Sequence, residues 1–123
     1  MKHSPESRIF TTRRVAIVEG DPAAAEMLHT FFRLMDLEPS MIAPGSGALA
    51  TIRRVQPDIA LLDLDTPNLQ ALEMAAEIRA ALPATGIIFM SNATPPPEAA
   101  PVVAKPGACF ERLLALMEMM LEV

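Results

Sequence analysis

The chain has no tryptophan, no tyrosine and a single cysteine, Cys109. With no Trp or Tyr to stack on a flavin, and no glycine-rich phosphate loop after the first apolar run, a flavin-binding or other α/β enzyme has no positive support. One cysteine excludes an internal disulfide framework and fits a reducing compartment, so the chain is expected in the cytoplasm. Basic charge is sparse. Lys and Arg total 10 against 15 Asp and Glu, the net charge is -5, and no basic cluster exceeds the pairs Arg13-Arg14 and Arg53-Arg54. That leaves no patch for nucleic acid as a direct partner. No apolar run approaches the ~20 residues that span a bilayer, so no membrane association is expected. Met1 to Thr12 is polar and lacks the apolar core of a signal peptide, which makes residues 1–12 a flexible tail ahead of a domain over 13–123.

What is present suits one domain with a real core: 123 residues, 51% apolar and 20% charged. The chain is organised around Pro57-Asp58-Ile59-Ala60-Leu61-Leu62-Asp63-Leu64-Asp65-Thr66-Pro67. Ile59 to Leu62 is a short unbroken apolar run between breakers, the mark of a strand buried on both faces of a parallel sheet. Asp63 then stands at its carboxyl end, the edge where open α/β sheets bind ligands.

Arg14 to Val18 predicts the first strand, ending at Glu19-Gly20-Asp21. Asp21 before Pro22 is an N-cap with proline at the first helical position, and the helix runs to about Met35. Met27, Leu28, Phe31 and Leu34 are assigned to its core face; Glu26, His29 and Arg33 are assigned to solvent. Glu38 to Ala43 is a weak second strand. Ser46 is a candidate cap for a second helix through Val55, stopped by Pro57. A third helix covers about Leu69 to Leu82 and ends at Pro83. Gly86 to Met90 forms the fourth strand, ending at Ser91.

The next segment contains Pro95, Pro96 and Pro97 and cannot be an ordinary helix. Its residues Asn92 to Ala100 would span ~28 Å at ~3.1 Å each as polyproline II, longer than a ~17–20 Å strand. Such a loop can return the chain so that a fifth strand, Val102 to Ala104, stays parallel. A last helix runs from Gly107 to near the C-terminus. The expected fold is α/β: a parallel five-stranded sheet of order 2-1-3-4-5 with helices on both faces and no helix between the fourth and fifth strands.

Four polar residues then share the carboxyl edge of the sheet: Glu19, Asp63, Ser91 and Lys105. Two carboxylates there suit a hard cation such as Mg²⁺. A hydroxyl and an ammonium suit phosphoryl oxygens. A carboxylate can itself take a phosphoryl group as an aspartyl phosphate.

Val18-Glu19-Gly20-Asp21-Pro22, Pro57-Asp58 through Asp63-Leu64-Asp65-Thr66-Pro67, Met90-Ser91 and Lys105-Pro106, in this order, resemble the receiver domain of bacterial two-component response regulators, from about Arg14 onward. The resemblance implies a flavodoxin-like fold and phosphorylation by a histidine kinase or phosphotransfer partner. It implies Asp63 as phosphoacceptor, with Ser91 bonding the phosphoryl oxygen, Lys105 pairing with the phosphoryl charge, and Lys105-Pro106 as a cis peptide. Mg²⁺ would be held by Glu19, Asp63 and the backbone carbonyl of Asp65.

The departures are specific. The family has two adjacent acids after the first strand; here the second is Gly20, so Mg²⁺ is expected to bind weakly. Asp21 cannot replace it while it caps the helix. The family's glycine in the loop after Pro67 falls at Asn68 or Ala71, its fourth helix gives way to the proline segment, and its aromatic switch residue falls near Val102. The expected function is a stand-alone receiver, not an enzyme, that signals through a downstream protein. The alternative is a degenerate receiver serving as a phosphorylation-independent binding or dimerisation module. Leu116, Met119 and Val123, outside the core arc of the last helix, suggest a homodimer through that helix.

Overall fold

Most of the strands are apolar runs bounded by breakers. In the computed structural model, which describes residues 13–65, 70–91, 102–104 and 110–121 (backbone alone at 102–104 and 110), the elements are β1 (Arg14–Val18), α1 (Pro22–Leu34), β2 (Glu38–Ile42), α2 (Ala48–Val55), β3 (Ile59–Asp63), α3 (Ala71–Ala81), β4 (Gly86–Ser91), β5 (Val102–Ala104) and α4 (Phe110–Leu121). All strand pairs are parallel and the sheet order is β2-β1-β3-β4-β5. The expected fold class is observed. The expected flexible tail over residues 1–12, the proline segment and the start of the last helix, Cys109 included, lie outside the described residues.

Side chains alternate across a strand, so each strand feeds two cores. Val15, Ile17, Ile59, Leu61, Ile88 and Met90 face one side, where Leu28 and Phe32 of α1 and Leu113 and Met117 of α4 cover them. Ala16, Val18, Ala60, Leu62, Ile87 and Phe89 face the other, under Ile52 of α2 and Met74, Ala75 and Ile78 of α3. Every residue of β3 is buried, as its unbroken apolar run requires. At the open edge, Glu38 N donates to Arg13 O at 2.9 Å, so the next residue of β2 directs its nitrogen away from β1. That residue is Pro39, which has no N–H to waste there.

Two helix faces differ from expectation. On α1 the buried side chains are Ala25, Leu28 and Phe32, while Met27 and Leu34 are exposed. The stripe at i, i+3 and i+7 begins on a small alanine that lets the helix approach the sheet closely. On α4 Leu116 is partly buried against the core, leaving Met119 as the described member of the proposed outer stripe in solvent; Val123 lies outside the described residues. His29 is half-buried on α1.

Helix ends follow local chemistry. Asp21 Oδ1 accepts from Ala23 N at 3.1 Å with Pro22 behind it, as predicted for the cap. At the other end of α1, Asp36 N bonds Arg33 O and Leu37 N bonds Phe32 O, with Asp36 at φ 64 and Leu37 packed on the core. That is a Schellman closure with its usual apolar contact. The expected Ser46 cap of α2 is not formed: Gly47 holds the N-cap position and makes no side-chain bond. The helix instead gains a bond from Thr51 Oγ1 to Gly47 O, 3.1 Å.

Candidate functional site

α1 leaves β1 toward one face and α3 leaves β3 toward the other, so the chain switches direction between these two neighbours. A parallel sheet opens a crevice at the carboxyl edge of such a pair. Val18 pairs with Leu62, and Asp63 pairs with Met90. Glu19, Asp63 and Ser91 therefore stand side by side at the ends of β1, β3 and β4, at 5%, 1% and 6% exposure. They are the polar residues buried among the described ones.

Each carboxylate has a defined hydrogen bond. Glu19 Oε2 accepts from Asp21 N at 3.0 Å, which ties the first acid to the start of α1. Asp21 spends its own Oδ1 on capping α1, so it does not take the place of the missing acid at Gly20. Asp63 Oδ1 accepts from Asp65 N at 2.9 Å, and Leu64 N donates to Met90 O at 2.9 Å. This folds the turn after β3 against the end of β4. The turn then brings in a group that the sequence reading missed: Ser91 Oγ donates to the Asp65 side-chain Oδ1 at 2.9 Å. Asp65 was expected to contribute only its carbonyl. Its position two residues beyond Asp63, beside a neighbouring strand ending in Ser91, was the available signal.

Lys105 and the Lys105-Pro106 peptide lie outside the described residues, as does the side chain of Val102. Where the family's loop glycine was expected near Asn68 or Ala71, the left-handed backbone of the described residues falls between them, at Gln70, with φ 53.

Among the described residues, no three Asp, Glu, His or Cys side chains form a ready-made metal cage. What the edge does offer is two buried acids, Glu19 and Asp63, beside the main chain of Asp65. Neighbouring buried carboxylates repel and are costly unless a cation is near. Mg²⁺ ordinarily takes one or two protein carboxylates and completes its shell with water and phosphate oxygens, so this donor set fits it. The same edge holds a carboxylate and a hydroxyl donor at adjacent strand ends; a carboxylate can take a phosphoryl group, and a hydroxyl can donate to its oxygens.

Comparison with known proteins bears on the fold and the family. The family model for the response regulator receiver domain matches residues 15–109. The DNA-binding response regulator MtrA of Mycolicibacterium smegmatis is 35% identical over 68 residues, which are 55% of this chain and 30% of MtrA; the chain thus spans under a third of that relative's length. The response regulator TrrA of Thermotoga maritima, solved with Mg(2+)-BeF, superposes with a TM-score of 0.79 at 23% identity, covering 89% of this chain and 99% of that one. A structure of histidine kinase ThkA in complex with TrrA matches at a TM-score of 0.76 and 23% identity, covering 89% of this chain and 98% of the matched chain. These structural likenesses carry the fold, and the family match covers most of the chain. With its family match over residues 15–109 and with Glu19, Asp63 and Ser91 buried side by side at the carboxyl edge of the sheet, the chain belongs to the response regulator receiver domain family.

Proposed function

We propose that this receiver accepts a phosphoryl group on Asp63 from the phosphohistidine of a histidine kinase or phosphotransfer protein, and passes the signal on through protein contacts. The observation that carries this reading is Asp63 itself, a buried carboxylate at the end of the central strand with Glu19 and Ser91 at the neighbouring strand ends. Asp63 Oδ1 accepts the Asp65 N–H, which fixes the carboxylate at the sheet edge. A bond from an Asp63 carboxylate oxygen to phosphorus forms as the donor's P–N bond breaks, and that electron pair stays on the imidazole nitrogen. The Ser91 hydroxyl donates to a phosphoryl oxygen, and Lys105 balances its charge. Mg²⁺, held by the Glu19 and Asp63 carboxylates and the Asp65 carbonyl, would neutralise charge on the transferring group, weakly because Gly20 supplies no carboxylate. The kinase complex of the TrrA structure supports the choice of donor.

MtrA is named a DNA-binding regulator. Our reading gives the residues here no nucleic-acid contact, because acids outnumber bases 15 to 10 and no basic run exceeds two. None of the described helices is long and apolar enough to cross a membrane. We place this receiver in the cytoplasm, where its one cysteine meets a reducing compartment. The alternative, a phosphorylation-independent binding or dimerisation module, is favoured by Gly20. A phosphorylation assay with wild type and Asp63→Asn separates the two.

A further inference from the structure

Asp65 enters the site by its side chain as well as its backbone. The bonds Asp65 N to Asp63 Oδ1 and Leu64 N to Met90 O fix the turn against the end of β4. From that turn, the exposed Asp65 carboxylate reaches the buried Ser91 hydroxyl, 2.9 Å from Oδ1. A carboxylate offers only acceptors, so the proton in this bond is the hydroxyl's, and a serine hydroxyl has one proton to give. It can go to Asp65 or to a phosphoryl oxygen on Asp63, not to both at full strength.

We infer that the Asp65 carboxylate is a resident competitor for the Ser91 hydroxyl. It holds that hydroxyl in the unphosphorylated chain and yields it when Asp63 is modified. This rests on Asp63 being the phosphoacceptor. Asp65 is then a positioning residue that acts through Ser91 and biases the receiver toward its unmodified state. Its negative charge also opposes a phosphoryl group directly, but that repulsion does not pass through Ser91. A double-mutant cycle therefore separates the two effects.

The test is calorimetric titration of beryllofluoride with Mg²⁺ into wild type, Asp65→Ala, Ser91→Ala and the double variant. Beryllofluoride stands in for the phosphoryl group on the acceptor carboxylate. With Ser91 present, Asp65→Ala should tighten binding, and roughly five- to tenfold of that gain, the worth of one released hydrogen bond, should vanish in the Ser91→Ala background. Asp65→Asn keeps an acceptor oxygen without the charge and should retain most of the coupling. In the unliganded protein, Ser91 resonances should shift in Asp65→Ala more than in Asp65→Asn. An equal gain in both backgrounds overturns the competition while leaving Asp63 as acceptor, and so does weaker binding by Asp65→Ala or an unmoved Ser91 resonance. A wild type that binds no beryllofluoride overturns the acceptor reading and the competition with it.

Discussion

Arg14 and Asp58 hold each other twice at the amino end of the sheet: Asp58 N donates to Arg14 O and Arg14 N donates to Asp58 Oδ2, both at 2.8 Å. The second bond satisfies the first N–H of β1 with a side chain of the segment leading into β3. Pro57-Asp58 thus acts at the edge opposite Asp63, registering the two central strands without touching the site.

Asp58→Ala should cost ~1 kcal/mol of stability, the net worth of one such bond. Urea denaturation measures it, as a lower midpoint with an unchanged slope. Phosphorylation of the folded protein should be unaffected, because the site lies at the other sheet edge.

Asp36 and Gln56 both close helices with left-handed backbones, at φ 64 and φ 55. A glycine has no Cβ penalty there, although it adds freedom to the unfolded chain. Asp36→Gly should therefore raise stability by ~0.5–1 kcal/mol. Gln56→Gly removes the same penalty but loses the Gln56 side-chain bond to Arg53 O, 3.0 Å, which offsets part of its gain. Thermal melts of both single variants give the comparison.

Gly20 is exposed at the end of β1, beside Glu19. Gly20→Asp adds the carboxylate that the family has at this place and should tighten Mg²⁺ binding. Part of the gain is offset by repulsion with Glu19 and Asp63. Mg²⁺ titration followed by NMR shifts checks this, and an unchanged affinity would place the metal elsewhere.

Met119 is 73% exposed on α4, whereas Leu116 packs against the core. If α4 pairs two protomers, Met119→Glu should move a dimer to monomer in light scattering with little loss of stability. Leu116→Glu is the poorer probe, since it also places a charge against the core. A dimer that survives Met119→Glu, or a monomeric wild type, removes this helix as the contact.

The fold was legible because small or polar residues bound the apolar runs: Pro57 and Asp63 around Ile59–Leu62, and Gly86 and Ser91 around Ile87–Met90. Strand-end position then found Glu19, Asp63 and Ser91. Helix faces were less legible. Large side chains drew Met27 and Leu34 into the assigned core of α1, but small Ala25 sets the close approach, and the buried stripe follows it. Ser46 looked like a cap by residue type, yet the first turn of α2 begins one residue too late for it. The Asp65 side chain was missed for a different reason. Its bond to Ser91 depends on how the turn after Asp63 folds against a strand 26 residues away, which no local pattern encodes.

The central claim is that Asp63 is the phosphoacceptor, and intact-mass spectrometry tests it most directly. Wild type and Asp63→Asn are incubated with Mg²⁺ and acetyl phosphate, or with a cognate kinase and ATP. A single hydroxylamine-labile phosphoryl group is expected on the wild type and none on Asp63→Asn. A wild type that gains no such group from either donor, or an Asp63→Asn variant that gains it equally, would contradict the account.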